Sequence, residues 1–396
     1  MRARPRGCET MNVLFLSPHF PPNFKHFVFA LRDAGAKVLG MGDAPPHEVP
    51  GEVKGALAEY VCVPDMFNRY DAMKGAVEDL VKRHGRIDRI DSQNEHWLEH
   101  EARLRDEFDV WGQRMADVNR NRRKLGMKDF FREAGVPVAP AELVRSVEQC
   151  RVFANHWGFP LILKPDVGVG AAGATRVDNM QQLERGLDPL PRDTVIEKFV
   201  KGKIVTFDGL ADRDCRPIFW TSHEYSAGIM EIVSQRLTFH YYNFREIPPL
   251  LEQHGRRIVQ RFCVRERFFH IEFFETEAGK YHALEINVRP PGGYSMDMMN
   301  YSADTDLYKA WARLVVHNEN ELKFERKYHV AHVGRRDEAK YKLSHDQVMK
   351  DLGVKFVHHP HMPHLWRPVM GDSVYLIGDP KLEALKRAIA LVEEAA

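Results

Sequence analysis

The sequence predicts a mixed α/β and α+β protein, in which an open parallel α/β layer precedes a larger α+β unit and a small C-terminal α/β lobe. Three observations support this fold class. Short apolar segments alternate with amphipathic helical patterns from Asn12 onward. A basic run at 120–124 marks a change in the sequence pattern, and strand patterns with a closing helix occupy residues 318–396. A chain of 396 residues, 44% of them apolar, can bury the core of two to three such domains.

The first layer begins with the apolar strand NVLFLS at Asn12. The next apolar positions have the spacing of one helical face, which ends at Gly35: Phe24, Phe27, Val28 and Leu31. Further strands are predicted near 37–40, at VCV and at RIDRID, with a helix that ends at Gly85. The first strand-to-helix turn, SPHFPPNF, lacks the glycines that let a backbone approach a pyrophosphate, so dinucleotide binding is not expected there.

Composition excludes several functional classes. The 57 basic and 56 acidic residues leave a formal charge of +1, which provides no global field for nucleic acid or a membrane surface. The five cysteines lie far apart without a C-x-x-C pair, so neither a disulfide framework nor a zinc site is expected. No apolar run reaches the length of a membrane span. We therefore expect a cytoplasmic protein with reduced thiols, in which residues 1–10 form a disordered tail.

A glycine-rich loop lies in the segment LILKPDVGVGAAGATRV. Gly168, Gly170 and Gly173 fit the spacing G-x-G-x-x-G, which is weak evidence by itself. An apolar strand precedes the glycines and TRV resumes extended structure, so the pattern predicts a hairpin rather than the start of a helix. Such a loop can present backbone N–H groups to phosphate oxygens, and Lys164 adds a positive charge beside it. The alternative is a plain glycine-rich surface hairpin.

An acidic hairpin is predicted from FFHIEFFET and YHALEINV, two strand-like segments joined by a turn at Ala278-Gly279. A two-residue loop would pair Thr276 with Tyr281. Counting back along the two strands then places Glu272 directly opposite Glu285.

The same register places His270 opposite Asn287, and strand alternation puts Glu285, Asn287 and Arg289 on one face. Two carboxylates that face each other across strands repel by about 0.2–1 kcal/mol. A divalent cation reverses this effect, and carboxylates with an amide oxygen are hard ligands that suit Mg²⁺. The alternative is a solvated sheet face on which the acids pair with Arg or Lys.

The glycine loop and the E…E-x-N-x-R hairpin occur in this order, and together they make the chain resemble the ATP-grasp superfamily of carboxylate-amine ligases, which includes biotin carboxylase and D-alanine ligase. The resemblance covers residues 119–317, with a lid at about 125–197, and the layer at 11–118 is similar to the domain that precedes this fold in the family. Residues 318–396 would form the C-terminal lobe.

The resemblance implies roles for the matching residues. Two lysines would bind the nucleotide phosphates under the glycine loop: Lys124 and Lys164. The segment between the lobes, which would recognise adenine, is Glu197, Lys198, Phe199 and Val200. The metal ligands would be Glu272, Glu285 and Asn287, while Arg289 and Lys164 would act on the transferred phosphate. One departure concerns the ribose, because Ile204 occupies the position of the family's usual acid; Glu197 and Asp208 are the predicted substitutes.

The implied reaction uses ATP and Mg²⁺, with Mn²⁺ as an alternative metal. A small-molecule carboxylate would attack the γ-phosphorus to give an acyl phosphate, and an amine would then displace phosphate. Candidate substrate contacts are Glu224, Arg236, His240, Arg245, Gly292 and Gly293. Three alternatives stay open: a carboxylase that uses bicarbonate, an ATP-dependent kinase, and an ATP-binding regulator without turnover. No nucleic acid or membrane partner is expected, and a homodimer is the default oligomer.

Overall fold

The protein is described by a computed structural model that covers residues 10–168, 173–228, 232, 238–352, 356–359 and 361–396. Within these ranges, no helix is both long enough and apolar enough to cross a membrane. Two four-stranded sheets and one larger sheet organise these residues.

The first layer is a parallel sheet, as predicted. Its strands are β1 (Asn12–Leu16), β2 (Lys37–Gly42), β3 (Glu59–Cys62) and β4 (Arg89–Asp91), in the order β3-β2-β1-β4. Helices of this part of the chain are α1 (Lys25–Asp33), α2 (Gly51–Ala56), α3 (Tyr70–His84), α4 (Leu98–Glu107) and α5 (Met115–Arg122). Every residue of β1 is buried, because helices cover both faces of a parallel sheet. Gly35 and Gly85 follow α1 and α3 with positive φ, which confirms the two predicted helix ends.

A second, antiparallel sheet forms the lobe that carries the glycine loop. Its strands are β5 (Ala141–Leu143), β6 (Leu161–Pro165), β7 (Thr175–Val177) and β8 (Thr194–Lys198), in the order β5-β8-β6-β7. The lobe also contains α7 (Val147–Trp157) and α8 (Met180–Gly186), and α6 (Lys124–Glu133) precedes it. Pairing of Leu161 with Val177 confirms that β6 and β7 form a hairpin. Residues 169–172 at its tip, which include Gly170, lie outside the described residues.

The large sheet has the order β14-β13-β9-β11-β12-β15-β17-β16 among the described residues, with β10 paired to β9. Its strands are β9 (Lys203–Ala211), β10 (Pro217–Thr221), β11 (His223–Tyr225), β12 (His240–Asn243), β13 (Phe268–Glu275), β14 (Tyr281–Asn287), β15 (His329–Arg335), β16 (Phe356–His359) and β17 (Ser373–Asp379). The accompanying helices are α9 (Pro249–Arg261), α10 (Ser295–Ala303), α11 (Leu307–His317), α12 (His345–Leu352), α13 (Arg367–Met370) and α14 (Leu382–Glu393).

The strands of the C-terminal lobe belong to the large sheet. β15 pairs antiparallel with β12 through His240 and Val333, so β15, β17 and β16 extend the large sheet. The sequence pattern identified β15, β17 and α14 individually, but strand partners that are distant along the chain leave no local signal. The domain boundaries at 118 and 317 therefore stay predictions.

The first layer packs directly against the large sheet. The ring of Phe27 on α1 lies 5.2 Å from that of Trp311 on α11 and 5.9 Å from that of Phe268 on β13. A buried charge cluster reinforces this contact, because Glu101 accepts hydrogen bonds of 2.8 Å from both Arg105 and Arg267. The layer and the sheet thus share one core and one ion-pair network.

The described cysteines are free thiols: Cys62, Cys150, Cys215 and Cys263. Cys215 lies in the turn between β9 and β10, and Cys263 follows α9. Their sulfur atoms are 3.2 Å apart although the residues are 48 positions apart in the chain.

Candidate active site

The β13–β14 hairpin has the predicted register at its functional end. Glu272 lies opposite Glu285 and His270 lies opposite Asn287. Ile271 belongs to the apolar core on the other face of the sheet, as strand alternation predicts. The two carboxylates are therefore neighbours on the polar face.

The turn of this hairpin differs from the prediction. Tyr281 pairs with Glu275, not with Thr276. The Thr276 amide instead donates to the Lys280 carbonyl at 2.9 Å, which closes a loop over 277–279 with Gly279 at a φ of +67°.

A β-bulge restores the register. The pairing passes from Phe273–Ala283 to Glu272–Glu285, so Leu284 is an additional residue in β14. The one-residue error in the loop and the unforeseen bulge cancel, which is why the predicted carboxylate pair is confirmed although the predicted turn was wrong.

Two rows of polar side chains cross three adjacent strands at this site. Because β9 pairs with β13 on the side away from β14, one row contains Thr206, Glu272 and Glu285. The second row contains Asp208, His270 and Asn287. Alternation places both rows on the same face of the sheet.

A hydrogen-bonded chain runs through the second row to Glu272. His270 Nε2 lies 3.1 Å from Glu272 Oε1, and His270 Nδ1 lies 2.6 Å from Asp208 Oδ1. The other oxygen of Asp208 contacts His223 Nδ1 at 2.7 Å and the Thr206 hydroxyl. Burial alone would lower the pKa of His270, but Asp208 and Glu272 outweigh it and raise that pKa to about 9.

These contacts exclude Asp208 as a ribose contact, which corrects that prediction. Its side chain is fully buried and both carboxylate oxygens already have partners. Burial would raise the pKa of Asp208, but His270 and His223 hold it well below its ordinary value.

The predicted metal ligands present suitable oxygen atoms. Burial, followed by the charge of Glu272, raises the pKa of Glu285 above its ordinary value. Asn287 Nδ2 donates to Glu285 Oε1 at 3.1 Å, so the Asn287 amide oxygen faces away from that bond. No group of three or more His, Cys, Asp or Glu side chains in the described ranges has the arrangement of a complete metal site. Two carboxylates and an amide oxygen are hard donors that fit Mg²⁺, which also takes waters and substrate phosphates as ligands.

Buried cations lie next to these acids. Lys124 Nζ, at the start of α6, donates to the Gly168 carbonyl at 2.8 Å. Burial lowers the pKa of Lys124, although Glu285 opposes the effect. Lys164 Nζ on β6 lies 2.7 Å from Glu197 Oε2.

Lys128 completes this group and was not predicted. It is fully buried on α6, and its Nζ lies 3.3 Å from Glu197 Oε2. Burial, opposed by Glu197, lowers the pKa of Lys128 to about 8. The available signal was its position one helical turn after Lys124, which places both lysines on the same face of α6.

A cleft of about 290 Å³ brings these groups together between the two antiparallel sheets. Its lining includes eight predicted residues: Lys124, Lys164, Glu197, Lys198, Phe199, Val200, Glu272 and Glu285. Apolar side chains complete its walls: Ile162, Ile204, Phe274 and Leu284. The segment 225–228, which begins at the last residue of β11, also lines the cleft and was not predicted there. The arrangement suits a flat apolar ring at one part and anionic groups at the other.

Arg289 lies outside the lining of this cleft. Its Nε donates to Glu95 Oε2 at 2.9 Å, and another of its nitrogens donates to the Pro290 carbonyl. Glu95 belongs to the first layer, in a short 3-10 turn after β4. The predicted catalytic arginine thus connects the first layer with the end of β14.

The described substrate candidates do not line the cleft: Glu224, His240, Arg245, Gly292 and Gly293. Glu224 accepts a hydrogen bond of 2.8 Å from the Tyr242 hydroxyl, and His240 Nδ1 lies 2.8 Å from Glu393. Arg245 donates to two backbone carbonyls, those of Arg326 and Pro380. These contacts tie the side chains to the scaffold, and their role as substrate contacts stays a prediction. Arg236 lies outside the described residues.

The glycine pair after β14 serves a packing role. Methyl groups added to Gly292 and Gly293 would lie 3.6 and 3.3 Å from atoms of Met370, and Gly293 has a φ of +64°. The Gly293 carbonyl accepts a hydrogen bond from Asn23 of the first layer. In the glycine loop, Gly173 has a φ of +74°, a conformation that favours glycine.

Comparison with known proteins found one family model and several relatives that match part of the chain. Residues 123–212 match the family model of the carbamoyl-phosphate synthase L chain, ATP binding domain. A D-alanine–D-alanine ligase from Geobacter sulfurreducens is 25% identical over 42% of this chain and 54% of that enzyme. An L-arginine-specific L-amino acid ligase from Bacillus subtilis is 22% identical over 67% of this chain and 66% of that enzyme. The chain thus spans about half the length of the D-alanine ligase relatives that it matches.

Solved structures resemble the whole chain. An L-amino acid ligase from Bacillus licheniformis has a TM-score of 0.73 at 15% identity, over 98% of both chains. An N5-carboxyaminoimidazole synthetase from Staphylococcus aureus has a TM-score of 0.72 at 13% identity, over 97% of both chains. These likenesses establish a common fold.

Proposed function

We propose that this chain, which has the ATP-grasp fold, is an ATP-dependent ligase that joins a carboxylate to an amine and releases ADP and phosphate. The observation that carries the proposal is the convergence of Lys124, Lys164 and the Glu272–Glu285 pair on one cleft. Two buried cations and a carboxylate pair at one end suit a metal-bound triphosphate, and the apolar lining at the other end suits adenine. The names of the relatives support amino acids as the substrate class, since both ligases join them.

Each group then has a physical task. Lys124 and Lys164 neutralise phosphate oxygens, and the cleft limits access of water to a reactive acyl phosphate. Glu272, Glu285 and Asn287 would bind Mg²⁺, which neutralises charge on the phosphates when it is present. The backbone at 198–200 lies in the cleft lining, where it can recognise the adenine edge.

Arg289 requires a change of partner to reach a transferred phosphate. Glu95 holds its guanidinium in the present arrangement. An anionic phosphate competes with a carboxylate for the same planar fork of donors. We therefore include a catalytic role for Arg289 in the proposal, with Glu95 as the residue that holds the side chain in place before ATP and carboxylate bind.

The proposal is tested by a phosphate-release screen with ATP, Mg²⁺ or Mn²⁺ and pairs of amino acids, with product masses recorded. A ligase gives ADP, free phosphate and a product whose mass is that of both substrates less one water. A phosphorylated product without free phosphate would identify a kinase instead, and phosphate release that requires bicarbonate would identify a carboxylating enzyme. Tight ATP binding without turnover on any pair would favour the regulator and would contradict the ligase.

A further inference from the structure

Two charged residues are buried beneath the proposed metal site without contacting the cleft. Asp208 is fully buried and His270 is only 5% exposed, and neither lines the cleft. Burying a carboxylate costs several kcal/mol unless hydrogen bonds and opposite charge compensate it. Apolar side chains at these two sheet positions would avoid that cost, so a specific task is expected for the pair.

The contacts of the pair lead to one metal ligand. His270 faces Asp208 with one ring nitrogen and Glu272 with the other, at 2.6 and 3.1 Å. Glu272 Oε1 is thereby engaged, whereas Glu272 Oε2 has no hydrogen bond to the described residues. The carboxylate cannot rotate freely, because one of its oxygens is fixed toward the interior of the protein.

A third strand anchors this arrangement. His223 on β11 contacts the remaining oxygen of Asp208 at 2.7 Å, and the amide of His223 donates to the Thr206 hydroxyl. Thr206 itself lies beside Glu272 in the adjacent strand. Asp208 is thus held from two sides, so the ring of His270 has one orientation.

We propose that His270 and Asp208 are positioning residues for the metal site: Asp208, held by His223, orients His270, and His270 fixes Glu272 so that Oε2 faces the metal beside Glu285. Glu272 would then bind the metal through a single oxygen. Partners behind a metal ligand commonly change metal affinity by about 10–100-fold when they are removed. The inference rests on the proposed function for the identity of the bound species, but its test does not require turnover.

The test measures binding of Mn²⁺ in the presence of ADP by electron paramagnetic resonance. The His270→Leu variant removes both hydrogen bonds, and His270→Gln retains a donor that can reach one carboxylate. We expect the Mn²⁺ Kd to rise at least tenfold in His270→Leu and less in His270→Gln, with the affinity for metal-free ADP unchanged within twofold. The matched control is His254→Leu, a buried histidine on α9 outside this group, which should leave the Mn²⁺ Kd unchanged.

A variant of Asp208 protects the test against loss of folding. Asp208→Asn preserves the size of the side chain and should raise the Mn²⁺ Kd in the same direction as His270→Leu. An unchanged Kd in either variant, with a native circular dichroism spectrum, would overturn the proposal. Failure of all three variants to fold would also overturn it, because the pair would then be structural.

The two proposals fail in distinguishable ways. Wild-type protein that binds Mn²⁺ and ADP but forms no amide product would contradict the ligase while leaving the positioning role intact. Wild-type protein that ligates normally, together with variants that bind Mn²⁺ normally, would contradict only the positioning role.

Discussion

Replacing Glu285 by Gln should change stability and metal binding in opposite directions. In the metal-free protein Glu285 faces Glu272 across the hairpin, and burial together with this neighbour raises the pKa of Glu285. The native charge is therefore unfavourable until a cation binds. Glu285→Gln removes this charge while preserving the shape of the side chain, so the metal-free fold should gain stability while metal binding is lost.

The magnitude follows from the register. Directly opposed like charges cost about 0.2–1 kcal/mol across strands. Removing this repulsion in Glu285→Gln should raise the Tm of the metal-free protein by roughly 2 °C or less in a chain of this size. Binding of a metal nucleotide at a hundred times its Kd stabilises the wild type by about 2.7 kcal/mol, which the variant should lose. Turnover should fall more than about 100-fold, since even residues behind a metal ligand are commonly worth 10–100-fold.

The assay is thermal unfolding with and without Mg²⁺ and ADP, combined with phosphate release. The control is Glu277→Gln, at the exposed tip of the same hairpin, where Glu277 pairs with Lys201. This control should keep the full nucleotide-dependent increase in Tm. A Glu285→Gln variant that loses several degrees without ligand, or that retains the full metal-dependent increase, would refute the electrostatic reasoning.

Three further perturbations probe the scaffold. Burial lowers the pKa of Lys128 to about 8, whereas an unfolded lysine titrates near 10.4. Between these pH values the unfolded chain binds more protons than the folded one. The free energy of unfolding should therefore rise with pH in this range, by up to about 3 kcal/mol. Lys128→Met should abolish this rise in urea titrations, and a rise that persists in the variant would contradict the assignment. Gly255→Ala would place a methyl group 2.1 Å from the Phe207 ring, so urea denaturation should show a loss of about 1–3 kcal/mol, and an unchanged midpoint would contradict it. Glutathione disulfide should convert Cys215 and Cys263 into a disulfide, with a loss of two titratable thiols and of two mass units. A constant thiol count would contradict this prediction.

Local patterns in the sequence predict much of the candidate site. The spacing of apolar residues determines which face of a strand is buried, so the polar face that carries Glu272 and Glu285 could be identified without coordinates. The fold class could also be predicted, because the alternation of strands and helices in the first layer differs clearly from the hairpins that follow. The strand orders of the three sheets confirm it. The turn was wrong by one residue, since a three-residue loop and a bulge both lack a distinctive signal in this hairpin.

Contacts between distant segments could not be predicted. Lys128 joins Lys164 and Glu197 only after α6 packs against the second sheet. The pairing of Arg289 with Glu95 requires the first layer to dock on the large sheet. His240 and Arg245 were candidates because their chemistry suits substrates, but chemistry alone does not distinguish a binding group from one that ties two strands together.

The bulge at Leu284 determines how changes in the length of this hairpin affect the carboxylate pair. Deleting Leu284 alone would remove the bulge and leave Ala283 opposite Phe273 and Glu285 opposite Glu272, so the carboxylates would keep their face while the cleft would lose one apolar side chain. A hairpin with one residue fewer between Glu272 and Glu285 would therefore still place the two carboxylates opposite each other, without the bulge. A single-residue gap in this stretch of an alignment of related chains would then mark the loss of the bulge rather than the loss of the carboxylate pair.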